Sequence, residues 1–395
     1  MPSLTFGIPV YDDFDGLYFT VQANRLIHQD VLSDAEFLIV DNHPGTGPGT
    51  DAIRVLVEAV PGARYVPFGG YAGAVVKDLI FREASGEVVL CVDSHVLLLP
   101  GSVRTLLEYF DARPGCRDLV QGPMCPDNLT GQKATHYLPG WGNGMWGTWA
   151  TDDRGQDPGA PPFEIQMQGM GMFACRRDAW PGLNPRMRGH GGEEGYVHEK
   201  VRRGDGRAVC HPGVQWLHRF ARPGGIPYPT RWRDRARNYV LAFNELGWDT
   251  AGFEQHLRDL FDASHPGTAD SIFTLACQEA ANPYAVAFDA VFCLHRDATQ
   301  RRWARAQAGF AALGIDWLVE PIVLPPAIDL GAAEAKAVRF LAASAKRRGL
   351  KRIHIIGDEQ IPAPGTDPCH LPGRTIEYTS YNQILASDLA TAGLR

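Results

Sequence analysis

The sequence predicts an α/β protein built around a mostly parallel sheet. Short apolar runs alternate with amphipathic segments near the amino terminus, and two of these runs end in an aspartate. Such alternation is typical of βαβ units, whose strands are buried on both faces. Open sheets of this kind bind their ligands beyond the carboxyl ends of the strands. We therefore expect a functional site at that edge of the sheet.

The predicted elements begin almost at the first residue. A strand covers Leu4–Val10, and the helix after it is expected to bury an apolar stripe that contains Phe19, Leu26 and Ile27. The elements that follow are strand Phe37–Val40 with Asp41 after it, helix Asp51–Val60, strand Arg64–Phe68, helix Ala72–Ala84, and strand Val88–Val92 with Asp93 after it.

The pattern then changes to a long stretch rich in Gly, Pro and Trp. It runs from Pro123 to Pro162, and long loops inside a domain are usually functional. Regular elements are expected again at Met172–Ala174, in a helix beginning near Glu193, in a β-like segment Arg207–Phe220 and in helix Thr230–Leu246.

A second α/β series follows a turn-rich boundary at Ser264–Gly267. The length of 395 residues exceeds one ordinary domain of about 100 to 200 residues. We therefore predict a first domain at 1–264 and a smaller carboxy-terminal α/β domain at 265–395. The second domain is expected to contain helix Ala269–Ala281, strand Val286–Leu294, an Arg-rich helix ending at Leu313, helix Glu334–Arg348 and strand Arg352–Ile356.

Composition indicates a soluble globular protein, with 45% hydrophobic and 21% charged residues. The net charge of -7 disfavours a surface devoted to nucleic acid, although a local basic groove stays open. The 8 cysteines form no CxxC pair, which favours reduced thiols. A strand follows the first Met directly, and no apolar stretch could span a bilayer. We expect a cytoplasmic protein without a signal peptide or membrane span.

The strongest local signal is Asp93-Ser94-His95, directly after a buried strand. An aspartate and a histidine one residue apart in an extended segment point to the same side, so they could bind one divalent cation. The alternative interpretation is a turn residue followed by a surface histidine.

Two later segments offer similar chemistry. A glycine-rich turn, Gly189–Gly192, leads Glu193 and Glu194 into a predicted helix, whose amino-terminal dipole favours carboxylates. These glutamates could also serve only as caps. His218 lies in the β-like segment, where the alternative is a structural histidine.

Together, and in this order, these segments resemble the catalytic domain of the polypeptide N-acetylgalactosaminyltransferases and the wider glycosyltransferase family 2. The resemblance covers about residues 3 to 250 and implies the GT-A fold, a Rossmann-like nucleotide-diphospho-sugar transferase domain. The matching segments are Asp93–His95, the glycine-rich stretch Gln168–Asp178, Gly191–Glu193 and His218.

The resemblance implies metal-dependent sugar transfer from a UDP-sugar. A divalent metal stabilises the diphosphate leaving group by neutralising its oxygens. By the same resemblance the ligands are Asp93, His95 and His218. Two imidazoles and one carboxylate suit Mn²⁺, which accepts nitrogen and oxygen, whereas the alternative, Mg²⁺, prefers oxygen.

Donor contacts are also carried over from the family. Arg219 or Arg222 would touch the diphosphate, and their spacing from His218 departs from that of the family. The other expected contacts are Pro9, Val10, Tyr11, Asp41, Gly70, Gly73, Lys77, Asp93, Ser94 and Gly171.

Stereochemistry depends on whether a general base is present. If Glu193 or Glu194 reaches the acceptor hydroxyl, the reaction inverts configuration. If Glu193 only positions the donor sugar, as in the relatives that carry Asp-Ser-His, configuration is retained, and we favour retention. A non-catalytic nucleotide-sugar or glycan binding protein and a nucleotidyltransferase are alternatives from other classes.

The acceptor stays open in the sequence. His190 stands where the family has Trp, on the expected acceptor side. A protein, a saccharide, a small molecule and a modified nucleic-acid base all remain candidates, and so does a homo-oligomeric state. The carboxy-terminal series faintly resembles a glycosyltransferase family that acts on lipopolysaccharide, and we interpret it as an accessory or degenerate domain.

Overall fold

The computed structural model describes residues 3–45, 48–221, 225–296, 300–324, 330–368 and 372–377. The chain divides into two compact units, Met1–Phe273 and Thr274–Arg395. This division falls inside a helix, slightly beyond the boundary that the sequence suggests at 264. None of the helices in the described ranges is both long and apolar enough to cross a bilayer.

The first unit alternates strands and helices, with two short 3-10 turns at Asp153–Gly155 and Arg177–Ala179. Its elements are β1 (Leu4–Val10), α1 (Phe14–Ile27), α2 (Gln29–Leu32), β2 (Glu36–Asp41), α3 (Pro48–Ala59), β3 (Ala63–Pro67), α4 (Val76–Glu83), β4 (Val88–Val92), β5 (Val96–Leu98), α5 (Ser102–Asp111), β6 (Leu119–Gln121), β7 (Met124–Cys125), β8 (His136–Gly142), β9 (Met145–Ala150), β10 (Phe163–Glu164), β11 (Met172–Arg176), α6 (Glu194–Arg203), β12 (Ala208–Cys210), β13 (Trp216–His218), α7 (Trp232–Leu246), α8 (Ala251–Phe261) and α9 (Thr268–Ala280), the last of which continues into the second unit.

Eight strands form the main sheet, in the order β10-β12-β6-β11-β4-β1-β2-β3. Strands β4, β1, β2 and β3 are parallel, whereas β11 runs antiparallel to β4 and β6. The parallel strands therefore end at the same edge, at Val10, Asp41 and Val92. The α/β class with a mostly parallel sheet is confirmed.

A smaller sheet, in the order β5-β13-β7, lies at the same edge. Strand β13 pairs antiparallel with β5, so that His218 is opposite Val96. Since Val96 directly follows His95, this register brings two histidines together that are far apart in the sequence.

The core fills the space between the main sheet and its helices. Every residue of β4 is buried, and Phe6 stacks on Phe37 at 5.4 Å between ring centroids. Phe110 and Trp216 belong to the same cluster and are almost fully buried. Each such side chain contributes roughly 1.5 to 3 kcal/mol by leaving water. The strand ends that carry the polar residues are thus fixed by a rigid interior.

The predicted buried face of α1 is wrong. Phe19 and Leu26 are 60% and 79% exposed, and the helix buries Leu17, Thr20 and Asn24 instead. The Asn24 amide donates to the carbonyl oxygens of Thr20 and Val96, and its own oxygen accepts from the Leu98 N–H. The buried face therefore contains hydrogen-bonded polar groups, which a pattern of apolar residues does not detect.

Two other expectations need correction. The Gly, Pro and Trp-rich stretch contains an antiparallel hairpin, β8–β9, because its aromatic residues pair across the strands. The single β-like segment Arg207–Phe220 is instead two strands, β12 in the main sheet and β13 in the small one. A turn at Pro212 and Gly213 separates them, where proline cannot donate to a ladder.

The second unit contains its own four-stranded sheet. The strand order is β15 (Val319–Leu324), β14 (Ala290–Arg296), β16 (Arg352–Gly357) and β17 (Arg374–Glu377), and among the described strands only β17 is antiparallel. The predicted strand from Val286 begins later, at Ala290, because Asn282 caps a short helix that has Pro283 in its first turn. The elements of this unit are α10 (Pro283–Ala287), β14 (Ala290–Arg296), α11 (Gln300–Ala312), β15 (Val319–Leu324), α12 (Leu330–Arg348), β16 (Arg352–Gly357) and β17 (Arg374–Glu377).

A glycine fixes the approach of the small sheet to the main one. A Cβ atom at Gly122 would lie 1.6 Å from the carbonyl oxygen of Val214, which precedes β13. The Gly122 carbonyl also accepts from the Trp216 indole at 2.7 Å. We predict that Gly122→Ala lowers the free energy of unfolding by about 1 to 3 kcal/mol, since backbone atoms must shift.

Chemical denaturation of the full chain measures this loss. Gly252→Ala is the matched control, because its nearest neighbour would be Trp141 at an ordinary 3.5 Å. In helix α8 the control should stabilise by up to about 1 kcal/mol. Equal stability of the Gly122 variant and the parent would contradict the packing described here.

Candidate metal site

Three side chains converge at the carboxyl end of β4. Asp93 and His95 follow that strand, and His218 ends β13. One ligand atom from each lies within 4.8 Å of the other two. The Nε2 atoms of the two histidines are 3.2 Å apart, and His218 Nε2 is 3.7 Å from Asp93 Oδ2.

These residues fit a divalent metal. A divalent metal ion binds nitrogen and oxygen ligand atoms at about 2.1 Å. Two ligand atoms on one ion are therefore at most about 4.2 Å apart. The distances of 3.2 and 3.7 Å meet this limit. When two imidazole nitrogens face each other and neither carries a proton, their lone pairs repel unless both bind a shared cation. A set of two nitrogens and one carboxylate suits a first-row transition metal.

Lys77 holds the carboxylate of this cluster. The buried Lys77 Nζ lies 3.2 Å from Asp93 Oδ1 and donates to the Met170 carbonyl at 2.6 Å. Burial lowers the pKa of Lys77, but the charges of Asp93 and its other neighbours together outweigh burial, and the pKa lies above its ordinary range. Burial likewise raises the pKa of Asp93, but Lys77, His218 and His95 hold it well below its usual range. Both groups therefore stay ionised, and Asp93 Oδ2 faces His218.

Asp13 orients His95 from the other side. It accepts from Ser94 Oγ at 2.8 Å, and its Oδ2 lies 3.2 Å from His95 Nδ1. A hydrogen bond at Nδ1 leaves Nε2 as the lone-pair atom, which is the tautomer that a metal requires. Asp13 also caps α1 by accepting from the Gly16 N–H at 3.2 Å. Sequence reasoning missed this residue, although an N-cap directly after β1 was a signal for it.

A cavity opens beside the cluster. The cavity is open to solvent on one side, and its volume of 100 Å³ is below the roughly 300 Å³ of small ligand pockets. Predicted residues that line it are Pro9, Val10, Tyr11, Gly73, Lys77, Asp93, Ser94 and His95. Lining residues that sequence reasoning did not assign include Asp13, Asn42 and Tyr228, and His190, which was expected on the acceptor side, also lines the cavity.

Gly73 makes one wall of this cavity. Its backbone pairs with Gly189, and its φ of +148° favours glycine. A Cβ atom here would lie 2.3 Å from the Gly189 carbonyl oxygen. Asn42 accepts from the Gly73 N–H at 3.2 Å and donates to the Tyr71 carbonyl at 2.6 Å. The glycine loop is therefore held by backbone contacts that exclude a side chain.

Other predicted donor contacts lie outside the wall of this cavity. Asp41 is buried, and its carboxylate accepts from the Tyr65 hydroxyl at 2.8 Å and from the His43 N–H. Gly70 lies in the loop after β3, and Arg222 falls outside the described residues. The Gly171 carbonyl accepts from the Asp93 N–H at 2.9 Å.

Arg219 extends the polar side of the site. Its N–H donates to the His95 carbonyl at 3.1 Å, and its Nη2 lies 3.7 Å from Asp13 Oδ1. The Arg219 side chain is 40% exposed. Arg219 thus lies next to the candidate metal ligands, and its contact with a diphosphate stays a prediction.

The two glutamates begin helix α6. Glu193 is its N-cap residue, and both Glu193 and Glu194 are buried. Burial and the neighbouring Glu193 charge raise the pKa of Glu194 well above its ordinary range. The charge of Glu193 also contributes to the raised pKa of Lys77. Neither glutamate lines the cavity described above.

Three of the solved structures that this chain matches are glycosyltransferases. GalNAc-T7 with UDP, GalNAc and Mn²⁺ matches at a TM-score of 0.54 and 14% identity, over 69% of this chain and 53% of that chain. The Pyrobaculum calidifontis mannosyltransferase PcManGT with GDP-Man and Mn²⁺ matches at 0.41 and 18%, over 88% and 82%. TarS from S. aureus (residues 1–349) matches at 0.39 and 12%, over 88% of each chain. No family model and no curated protein matches.

The match to GalNAc-T7 confirms the predicted GT-A fold. This chain spans about half the length of that protein, 53%, and at 14% identity the likeness is one of fold. The activity must therefore be argued from the site itself.

We predict that Asp13→Asn weakens Mn²⁺ binding about 10- to 100-fold, the usual effect of losing a group that orients a metal ligand. The amide can still accept from Ser94, but it no longer fixes the charge and tautomer at His95. Isothermal titration of Mn²⁺ into the full chain measures this change.

Asp15→Asn is the matched control, because Asp15 lies in the first turn of the same helix and is exposed. It should leave the affinity unchanged. If both variants bound Mn²⁺ like the parent, Asp13 would have only a capping role.

Proposed function

We propose that this protein is a metal-dependent glycosyltransferase that moves a sugar from a UDP-sugar to a hydroxyl acceptor, with retention of configuration. The observation that carries the proposal is the convergence of Asp93, His95 and His218 at the carboxyl edge of β4. This edge is where open α/β sheets bind ligands. The GT-A fold supports the same assignment.

The cavity supports a nucleotide diphosphate donor. Tyr11 stacks on His43 at 4.7 Å and 20°, which provides an aromatic wall at the end of β1 where a base could lie. Lys77 and Arg219 provide positive charge next to the metal ligands. The donor would thus place its base near Tyr11 and its diphosphate near Asp93. GalNAc-T7, which shares the fold, is solved with UDP and Mn²⁺.

The chemistry of transfer makes defined demands on these residues. The bond between C1 and the diphosphate oxygen breaks, the acceptor oxygen bonds to C1, and UDP leaves. When bound, a divalent ion would supply positive charge to the departing diphosphate. Mn²⁺ is our choice and Mg²⁺ the alternative, because two of the three ligands are nitrogen. Asp13 and Lys77 hold His95 and Asp93 in position for this role.

The fate of the acceptor proton supports retention. Among the described residues that line the cavity, the carboxylates are Asp13 and Asp93. Asp93 pairs with Lys77, and Asp13 contacts Ser94, His95 and Arg219, so neither is placed to take a proton. The departing phosphate oxygen would then accept it. An inverting reaction with Glu193 or Glu194 as base is the alternative.

We also propose a cytoplasmic location. The cysteines that the structure describes are free, and most of them are buried. Unpaired thiols of this kind are typical of a reducing compartment.

Metal removal tests the proposal directly. We predict that excess EDTA or His218→Ala weakens binding of a UDP-sugar at least about 100-fold, because the diphosphate loses its counter-charge. Titration of UDP-sugars with and without Mn²⁺ measures the affinity. His265→Ala removes an exposed histidine outside the site and is the matched control.

Unchanged UDP affinity after both treatments would overturn the proposal. A pure binding protein would show metal-dependent affinity without turnover. Slow Mn²⁺-dependent release of free sugar from a UDP-sugar distinguishes the enzyme from that alternative.

A third measurement addresses stereochemistry. We predict that the sugar first released keeps the anomeric configuration of the donor, which proton NMR can record before mutarotation. Glu193→Gln and Glu194→Gln should lower the rate by less than the roughly 100-fold expected for loss of a general base. Asp205→Asn, on a turn after α6, is the control for charge loss. Release of the opposite anomer would establish inversion.

A further inference from the structure

A second cavity of the first unit has no role in the chemistry above. It measures 530 Å³ and lies along α6, next to the β8–β9 hairpin and the segment around β10. Its wall includes Trp146, Trp248, Glu164, Gln166, Glu199 and Arg202. The volume lies within the range of small-molecule binding sites, about 300 to 1,000 Å³.

The two indole rings of this cavity are held in place by the core. Trp146 and Trp248 both contact the buried Phe243 edge to face, at 6.1 and 5.3 Å between ring centroids. Trp146 also approaches the α6 backbone at Gly195, where a Cβ atom would lie 2.6 Å from its Cδ1. Both tryptophans remain partly exposed. They therefore present fixed apolar surfaces to the cavity.

Several polar groups of this cavity make no hydrogen bond to another residue in the part of the chain that the structure describes. Within the described residues, no hydrogen bond engages the indole N–H groups of Trp146 and Trp248, the Gln166 amide or the Glu164 carboxylate. Glu199, in contrast, accepts from Arg202 and Arg203 at 3.1 and 2.9 Å. The cavity therefore offers donors and acceptors next to its aromatic surfaces, and the Glu199 charge is balanced.

This combination identifies a class of ligand. A sugar ring has an apolar face that packs on an aromatic side chain and a rim of hydroxyl groups that both donate and accept. A phosphate-rich ligand is disfavoured, because Glu164 and Glu199 offset Arg202. We propose that this cavity binds a saccharide that forms part of the acceptor, an inference that rests on the proposed function.

Helix α6 connects this cavity to the metal site. Gly195, Glu199 and Arg202 line the cavity from one face of the helix, and Glu193 caps its amino end. At 1.5 Å per residue, the lining residues lie about 3 to 14 Å along the helix from Glu193. That length suits an oligosaccharide whose near end lies within one turn of Glu193. Gly189 and His190, shortly before Glu193 in the sequence, line the cavity beside the candidate metal ligands.

Saccharide binding to the full chain tests this proposal without turnover. The probes are neutral tetrasaccharides (maltotetraose, cellotetraose and chitotetraose), observed by ligand-detected NMR and tryptophan fluorescence. We expect at least one to bind. Trp248→Ala should weaken that binding about 30-fold, as loss of a central aromatic contact does. Glu164→Gln should weaken it about tenfold, as loss of a charged hydrogen-bond acceptor does.

Two matched controls keep the test specific. Trp149→Ala removes an exposed tryptophan of the same hairpin that does not line the cavity, and Glu58→Gln neutralises an exposed glutamate on α3. Both should bind the saccharide like the parent. Glu164→Gln changes an exposed side chain of β10, so it decides the matter even if Trp248→Ala fails to fold.

The failure of this inference is distinguishable from failure of the proposed function. UDP binding with Mn²⁺ is measured on the same variants and should not change. If the parent binds UDP with Mn²⁺ but binds no saccharide at about 10 mM, only the saccharide site is overturned. The same holds if saccharide binding is unchanged in both Trp248→Ala and Glu164→Gln. Binding of a Ser/Thr-rich peptide at this cavity in place of saccharide would also overturn it. If the parent does not bind UDP with Mn²⁺, the proposed function is overturned instead.

Discussion

The pairing of β13 with β5 is the constraint on which the candidate site depends. His218 and His95 are separated by 123 residues in the sequence, yet the antiparallel register places them with their Nε2 atoms 3.2 Å apart. A shift of one residue would turn His218 to the opposite face of its strand. Trp216, two residues earlier on the same face, is almost fully buried and donates to the Gly122 carbonyl. The register of β13 is therefore fixed by core packing.

The sequence supported the α/β class because buried parallel strands read as short apolar runs. Asp93 and His95 could be placed for the same reason, since a polar pair directly after such a run is visible locally. The proximity of His218 came from a family resemblance, because nothing in local periodicity determines which strand pairs with which. Long-range pairing is decided by the whole core, and this limits any inference from short segments.

Side chains that satisfy backbone groups were the least visible part of the sequence. Asn24 and Thr20 of α1 are buried because they bond the backbone at the end of β4 and along β5, so the buried face of that helix is not its most apolar one. Asp13 escaped notice because its contacts, Ser94 and His95, are distant in sequence. Polar residues at helix starts and strand ends thus combine capping with the support of functional groups.

The Lys77–Asp93 ion pair has a consequence for the order of assembly. Lys77 already neutralises Asp93, which is the one carboxylate among the three candidate ligands. A divalent ion bound there would add two positive charges, and the negative charges of a diphosphate would neutralise them. Ion and nucleotide should each raise the affinity of the other, as linkage requires. The affinity of the protein for Mn²⁺ should therefore be higher when the nucleotide is bound than when it is absent.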